Sequence, residues 1–139
     1  MIASFVVLGP PVPKARARAC SDGRHRTPKA TRAYERLVAS IARFSIPIGW
    51  PMDGQYKLSV NFYFADHRRR DSDNCLKSIA DALNKLAYDD DNQVTEICGR
   101  KVGGDPRPRA EVTVEYLGPM PTRKSVGAVL PKRRARKVA

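Results

Sequence analysis

The sequence predicts an α+β fold, a single small domain with one mixed sheet and two main helices in the order β-α-β-α-β-β. Two observations predict it. A chain of 139 residues fits one domain, and its 42% apolar content is enough for a core. The apolar residues also fall in patterned segments, four with the character of strands and two with the period of helices, and these alternate along the chain.

Four segments have strand patterns. Residues 2–8 are apolar except for Ser4, and Gly9, Pro10 and Pro11 follow them, which indicates a buried strand. Residues 57–65 alternate between apolar and polar side chains, and residues 93–102 and 110–116 complete the set. The side chains assigned to the buried faces of the second and fourth strands are Leu58, Val60, Phe62, Phe64, Val112, Val114 and Tyr116.

Two segments have helical patterns. The first helix is predicted from about Lys29 to Phe44, with Thr27 as its N-cap and Pro28 at the first helical position. Its apolar stripe is expected to be Leu37, Ile41 and Phe44. The second helix is predicted from about Asp73 to Ala87, and the acidic run from Asp89 to Asn92 ends it.

Charge is the strongest compositional feature. The formal net charge is +12, and a balance of this size indicates a polyanionic partner, with nucleic acid ahead of a membrane. Residues 119–139 contain seven Lys or Arg and no acid, so they are predicted to be a disordered basic tail. Subtracting those seven charges from +12 leaves +5 on residues 1–118, the predicted folded domain.

Cysteine usage and hydropathy narrow the class of protein. Cys20, Cys75 and Cys98 form no Cys-x-x-Cys pair, and neither histidine has zinc-site spacing, so a reduced, cytoplasmic setting is expected. The first residues lack the basic start and the long apolar run of a signal peptide. No run of about 18 apolar residues is present, so no membrane partner is expected.

Acidic residues are concentrated in one region. Seven of the fourteen acids lie between Asp66 and Asp91, and such crowding of carboxylates is tolerated where a cation lies between them. At roughly 100° per residue, the second helix gathers its polar side chains on one arc, apart from its apolar side. The residues on this arc are Asp73, Asn74, Lys77, Asp81 and Asn84, and Arg68, Arg69 and Arg70 directly precede the helix.

Structural explanations account for part of this pattern. A solvated helix face is also polar, and Asp71 or Asp73 fits a helix N-cap. Lys77 fits either an i,i+4 ion pair with Asp73 or Asp81, or a contact to a scissile phosphate. None of these explains the run from Asp89 to Asp91. A calcium-binding EF-hand loop does not explain it either, because Val94 stands where that loop needs glycine.

The segment from Arg68 to Val94 resembles the signature of the RusA family of Holliday-junction resolvases. The matching motifs are Asp71-Ser72-Asp73-Asn74, Lys77, Asp81-Ala82-Leu83-Asn84 and Asp90-Asp91-Asn92-Gln93. Leu8-Gly9-Pro10-Pro11 and the run from Arg100 to Val102 also fit. The resemblance extends in order over residues 2–118 and does not include the basic tail.

The resemblance implies a function and a site. It implies a homodimeric endonuclease that makes paired nicks at four-way DNA junctions in recombination and repair, with Mg²⁺ or alternatively Mn²⁺, and with no small-molecule cofactor. Members are often encoded by phages or prophages, which places them in the cytoplasm of a bacterial or phage-infected cell. Asp71, Asp73 and Asp91 correspond to the metal-binding and catalytic carboxylates, with Asp90 as the alternative to Asp91, and Lys77 corresponds to the catalytic lysine.

Basic residues near these motifs are the candidates for DNA binding. They are Lys14, Arg16, Arg18, Arg24, Arg26, Arg68, Arg69, Arg70, Arg100 and Lys101. A non-catalytic DNA- or RNA-binding protein is the main alternative, yet carboxylates facing a phosphate backbone would only weaken its binding. A nucleotide hydrolase would need a pocket for the base, and Tyr34, Trp50 and Tyr63 are too scattered along the chain to indicate one.

The sequence leaves open whether each site is built from one chain or from two. A helix from Asp73 to Leu86 would span roughly 20 Å. Residues 87–91 could return by at most about 17 Å. Asp91 therefore reaches Asp73 of its own chain only by a straight return or after a shorter helix. Otherwise the Asp91 of one subunit would lie beside the Asp71 and Asp73 of the other at a dimer interface.

Overall fold

The structure is a computed structural model that describes residues 1–15, 18–19, 21–26 and 28–121, with only the backbone at 18–19 and 25–26. Its strands are β1 (Ile2–Leu8), β2 (Arg18–Ala19), β3 (His25–Arg26), β4 (Gly54–Tyr63), β5 (Val94–Val102) and β6 (Arg109–Pro119). Its helices are α1 (Lys29–Ser45), α2 (Ser72–Ala82) and one 3₁₀ turn (Asp91–Gln93). The predicted α+β class and the order of the main elements are confirmed.

Four strands form one mixed sheet in the order β1-β6-β4-β5. The β1–β6 and β6–β4 pairs are antiparallel, whereas β5 runs parallel to β4. The parallel pair requires a crossover, and α2 lies within that connection. The short hairpin of β2 and β3 was not predicted, because its two-residue strands are too short to show a pattern.

The sheet buries one face and leaves the other more open. In β4 and β6, the predicted inward residues Leu58, Val60, Phe62, Val112 and Val114 are buried. Phe64, just beyond the end of β4, is also buried, and Tyr116 is partly buried. The period-2 alternation therefore identified the core face correctly.

β1 differs from its prediction as a fully buried strand. It lies at the edge of the sheet and buries only alternate residues, Ala3, Phe5 and Val7. Ile2 and Leu8 are 59% and 73% exposed. A largely apolar segment is consistent with burial on both faces, but an edge strand with helices on one side can bury only one of them.

The predicted apolar stripe of α1 is wrong for two of its three residues, whereas the third, Ile41, is partly buried against the core. The helix buries Thr31, Tyr34, Val38 and Ala42, whereas Leu37 and Phe44 are 43% and 93% exposed. The predicted set and the buried set both have helical spacing, and the prediction chose the set with the larger apolar side chains. Pro28 is the N-cap rather than the first helical residue, and it forms no side-chain cap. The expected cap, Thr27, lies outside the described residues.

The second helix is shorter than predicted. It ends at Ala82 rather than Ala87, although Leu83 and Ala87 are buried as the helical pattern required. Lys85 has a left-handed backbone conformation, with φ of 67°, which breaks the helical path. The indole nitrogen of Trp50 then donates to the Ala87 carbonyl at 2.8 Å, and the Tyr88 hydroxyl donates to the Ala80 carbonyl at 2.8 Å.

The two helices cover the buried face of the sheet. α1 packs against β1 and α2, and α2 packs against β5. This arrangement leaves the first turns of α2 and the connection into β5 at one border of the helical layer. In the part of the chain that the structure describes, no helix is both long enough and apolar enough to cross a bilayer.

Candidate active site

A cleft of about 230 Å³ lies between α2 and the start of β5. Three charged residues line it: Asp73 and Lys77, one turn apart on α2, and Asp91, the first residue of the 3₁₀ turn. The rest of its wall is apolar and consists of Leu76, Ala80, Val94 and Ile97. Because α2 ends at Ala82, the chain turns back early enough for Asp91 to share a cleft with Asp73 of its own chain.

Lys77 is held between two carboxylates. Its Nζ lies 2.7 Å from Asp91 Oδ2 and 3.0 Å from Asp81 Oδ1. The hydrogen bonds to Asp91 and then to Asp81 raise the pKa of Lys77 to about 12, so the ammonium is charged at neutral pH. Of the two i,i+4 partners expected for Lys77, the structure selects Asp81 and not Asp73.

Asp71 and Asp73 have different surroundings. Asp71 is the N-cap of α2, and its Oδ1 accepts the backbone N–H of Asp73 at 2.9 Å. Asp73 is exposed, and no residue of the described part of the chain forms an ion pair with its carboxylate. The structure thus brings Asp73, Lys77 and Asp91 together and leaves Asp71 at the helix start. Within the described ranges, no three acidic, histidine or cysteine side chains form a ready metal cluster.

Asp90 and Asp91 also differ. The Asp90 carboxylate accepts the backbone N–H of Asn92 at 2.9 Å and caps the 3₁₀ turn. That N–H, followed by a hydrogen bond with Asp91, holds the pKa of Asp90 below its ordinary value. Asp91 lines the cleft instead. The geometry therefore favours Asp91 over Asp90 as the carboxylate available for chemistry.

Gln93 anchors the acidic segment, a role that the sequence analysis missed. The buried side-chain oxygen accepts the backbone N–H groups of Asp89 and Asp90 at 2.9 Å and 3.0 Å. Its amide nitrogen donates to the carbonyls of Met52 and Gly54, at the entrance to β4. The spacing Asp90-x-x-Gln93 is that of a capping box, so the signal for this role was present in the sequence.

A basic patch, which we define as Arg68, Arg69, Arg70 and Lys101, lines a second pocket just before α2. Arg68 and Arg69 are exposed to solvent. Arg70 is fixed, with its Nη1 2.6 Å from Asp66 Oδ1 and its guanidinium 4.1 Å from the centre of the Phe64 ring. Its hydrogen bond to Asp66 holds the pKa of that carboxyl below its usual range. Lys101 donates to the Arg70 carbonyl.

The other predicted DNA-binding residues are not gathered in this patch. Arg24 and Arg100 are exposed. Lys14 is not free, because it pairs with Glu35 and Asp81. The side chains of Arg18 and Arg26, and the whole of Arg16, lie outside the described residues.

The cleft suits a hard divalent cation in its donor chemistry. Asp73 and Asp91 offer carboxylate oxygens, which Mg²⁺ and Mn²⁺ prefer as ligands. The ammonium of Lys77 already lies against Asp91, which shows that the site accommodates positive charge. Asp71 lies two residues before Asp73. One of its carboxylate oxygens acts as the N-cap, and the other accepts no hydrogen bond from the residues that the structure describes.

A family model described as Endodeoxyribonuclease RusA matches residues 9–115. The chain belongs to the RusA family. The RusA match includes the basic patch, α2, the 3₁₀ turn and β5, and so every residue of the cleft described above. It identifies the chain as a member of an endodeoxyribonuclease family and leaves out the predicted basic tail. No curated protein matches the chain.

Proposed function

We propose that this RusA-family chain is a Mg²⁺-dependent, structure-selective endodeoxyribonuclease that resolves four-way DNA junctions by paired nicks in recombination and repair. The observation that carries the proposal is the cleft itself. One chain places Asp73, Lys77 and Asp91 together, and the three arginines of the basic patch directly precede the helix that presents two of them. Family membership supports the endonuclease activity.

The proposal gives each side chain a role. Asp73 and Asp91, joined by Asp71 from the start of α2, would hold Mg²⁺ or alternatively Mn²⁺. When bound, the cation would neutralise charge on the phosphate and lower the pKa of a water nucleophile. Lys77 donates hydrogen bonds to a non-bridging phosphate oxygen and stabilises negative charge as it develops. Arg68 and Arg69 hold the DNA backbone from the exposed side of the patch.

We further propose a homodimer in which each subunit has its own site. A four-way junction offers two equivalent strands, and a two-fold dimer provides two equivalent sites to cut them. The early end of α2 supports a one-chain site, because it removes the distance argument that favoured sharing Asp91 between subunits. The setting proposed for this enzyme is the cytoplasm of a bacterial or phage-infected cell.

The test is a cleavage assay on four-way, flap and linear DNA of matched sequence, with Mg²⁺, with Mn²⁺ or with a chelator. We expect symmetric nicks in the four-way junction with either metal, little cutting of linear DNA, and no cutting with the chelator. Junction binding without cutting under all metal conditions would instead support the non-catalytic DNA-binding alternative.

A further inference from the structure

Five side chains of alternating charge form a continuous series of ion pairs that leads into the cleft. Glu35 on α1 lies 2.6 Å from the Nζ of Lys14, and Lys14 Nζ lies 3.1 Å from Asp81 Oδ2. The other oxygen of Asp81 lies 3.0 Å from the Nζ of Lys77, which in turn lies 2.7 Å from Asp91. Asp81 therefore uses one oxygen for each lysine, and this fixes the plane of its carboxylate.

The backbone around Lys14 is fastened to both helices. The N–H of Lys14 donates to the Asn74 carbonyl at 2.8 Å, and the Ser78 hydroxyl donates to the Val12 carbonyl at 2.8 Å. On the other side, the Thr31 hydroxyl donates to the Pro13 carbonyl at 3.4 Å. The segment after β1 is thus held against α1 and α2, so Lys14 starts from a fixed position.

Lys14 and Asp81 are more buried than Lys77, which lines the cleft. The side chains of Lys14, Asp81 and Lys77 are 24%, 19% and 52% exposed. Burial alone would lower the pKa of Lys14, but the hydrogen bonds to Glu35 and Asp81 outweigh it and raise the pKa, so Lys14 stays charged. Lys14 is less than half as exposed as Lys77 and does not line the cleft, so it is poorly placed to contact a phosphate backbone.

We propose that Asp81 and Lys14 are positioning residues that hold the ammonium of Lys77 in the cleft, and that Lys14 acts through Asp81 rather than on DNA. This inference rests on the proposed catalytic role of Lys77. A lysine has a long and flexible side chain, so a second fixed carboxylate is needed to restrict it to one geometry. Lys14 supplies the cation that keeps Asp81 oriented towards Lys77.

The test compares Asp81→Asn, Lys14→Met and the double variant in the full chain. Single-turnover cleavage of a four-way junction is measured at saturating protein, and the Kd is measured separately with Ca²⁺ in place of Mg²⁺. We expect each single variant to cut about 10- to 100-fold more slowly, because small misplacements of a catalytic group have effects of that size. The Kd should change by less than about twofold. The double variant should be no slower than the slower single variant, since the two residues act through one contact.

Three further variants serve as controls. Lys14→Arg keeps the positive charge and should recover part of the rate that Lys14→Met loses. Lys57→Met removes another ion-paired lysine, on β4 and outside the cleft and the patch, and should cut at the wild-type rate. All rates are measured well below the melting temperature of each variant. Loss of rate in a fully folded Lys14→Arg variant, to the level of Lys14→Met, would contradict a role that depends on charge.

Other outcomes would overturn the inference. A weaker Kd with an unchanged saturating rate for Lys14→Met would make Lys14 a DNA contact, and additive rate losses would separate Lys14 from Asp81. A wild-type rate for Asp81→Asn would remove the positioning role. Lys77→Met separates this inference from the proposed function, because a wild-type rate in that variant would reject the role of Lys77 itself.

Discussion

The cleft and the basic patch lie on either side of the start of α2, and they differ in how firmly their charged side chains are held. In the cleft, Lys77 is fixed between Asp91 and Asp81 at distances of 2.7 Å and 3.0 Å. In the patch, Arg68 has a side chain that is 83% exposed. Arg68 reaches Asp66 only at 3.6 Å, whereas Arg70 is held more firmly, by its ion pair with Asp66 at 2.6 Å and by the ring of Phe64.

This difference indicates that the cleft and the patch have different functions. Charged groups with fixed partners can be held in the geometry that a reaction needs, and they contribute to the rate. Exposed cations attract a phosphate backbone at any register, and their contribution weakens as salt rises. We therefore expect variants in the cleft to change the cutting rate and variants in the patch to change affinity. The predictions below are ordered by their expected effect on cutting.

The largest loss of cutting rate is expected for Asp73→Asn. Removing a carboxylate that would hold the metal should lower the saturating rate by about 1000-fold or more, because a bound cation supplies several kcal/mol of stabilisation. Junction binding should stay equal or improve, since one negative charge facing DNA is lost. Glu115→Gln, on β6, is the matched control and should cut normally. A rate near wild type for Asp73→Asn would show that the metal site is assigned wrongly.

A smaller effect on cutting is expected for Gln93→Leu. This change leaves the amides of Asp89 and Asp90 and the carbonyls of Met52 and Gly54 without their partner. We expect a loss of about 2–4 kcal/mol in the free energy of unfolding. Because Asp91 would also be held less firmly, cutting should be about tenfold slower.

The measurements for Gln93→Leu are denaturant unfolding and single-turnover cleavage. Gln55→Leu provides the control, because Gln55 is a half-buried glutamine whose side-chain amide donates to one carbonyl, that of Pro119, in an exposed hydrogen bond. It should change neither quantity appreciably. Equal stability and equal rate in both variants would show that Gln93 does not anchor the acidic segment.

The double variant Arg68→Ala/Arg69→Ala should affect affinity alone. We expect the Kd for a junction to rise about tenfold, and the slope of log K against log salt to fall by about 1.8 if two phosphate contacts are lost. The rate at saturating protein should be unchanged, so cutting slows only when protein is limiting. A slower saturating rate with an unchanged Kd would reverse the roles of the patch and the cleft.

The smallest effect on cutting is expected when the chain is truncated after Pro121. The truncation removes seven positive charges and no acid. Binding should become less sensitive to salt, and nicking at low salt should survive. Loss of all nicking at low salt would mean that the basic tail belongs to the catalytic unit.

Local patterns predicted much of this fold. Alternation in β4 and β6 identified their buried faces, since a half-buried strand requires it. The end of α2 was not predicted, because Leu83 and Ala87 are buried in a turn and so continue the helical pattern. The buried face of α1 was missed because small residues such as Ala42 pack there, while Phe44 stays exposed.

The sequence predicted which residues belong to the candidate site better than it predicted the contacts between them. The crowding of acids indicated the region, and the resemblance selected Asp73, Lys77 and Asp91, together with Asp71, which does not line the cleft. The partners of Lys14 could not be predicted, because Glu35 and Asp81 are distant in sequence and meet it only through the packing of α1 against α2. Lys14 was consequently grouped with the DNA-binding residues.

The central claim is that the cleft of a single chain performs the cutting, and heterodimers with differently tagged subunits test it most directly. One pairs a wild-type subunit with an Asp73→Asn/Asp91→Asn subunit, and the other pairs Asp73→Asn with Asp91→Asn. Because both carboxylates line one cleft within a chain, we predict that the first heterodimer nicks one junction strand and the second is inactive. Nicking by the second heterodimer with none by the first would contradict the account, because it would require Asp73 and Asp91 to come from different subunits.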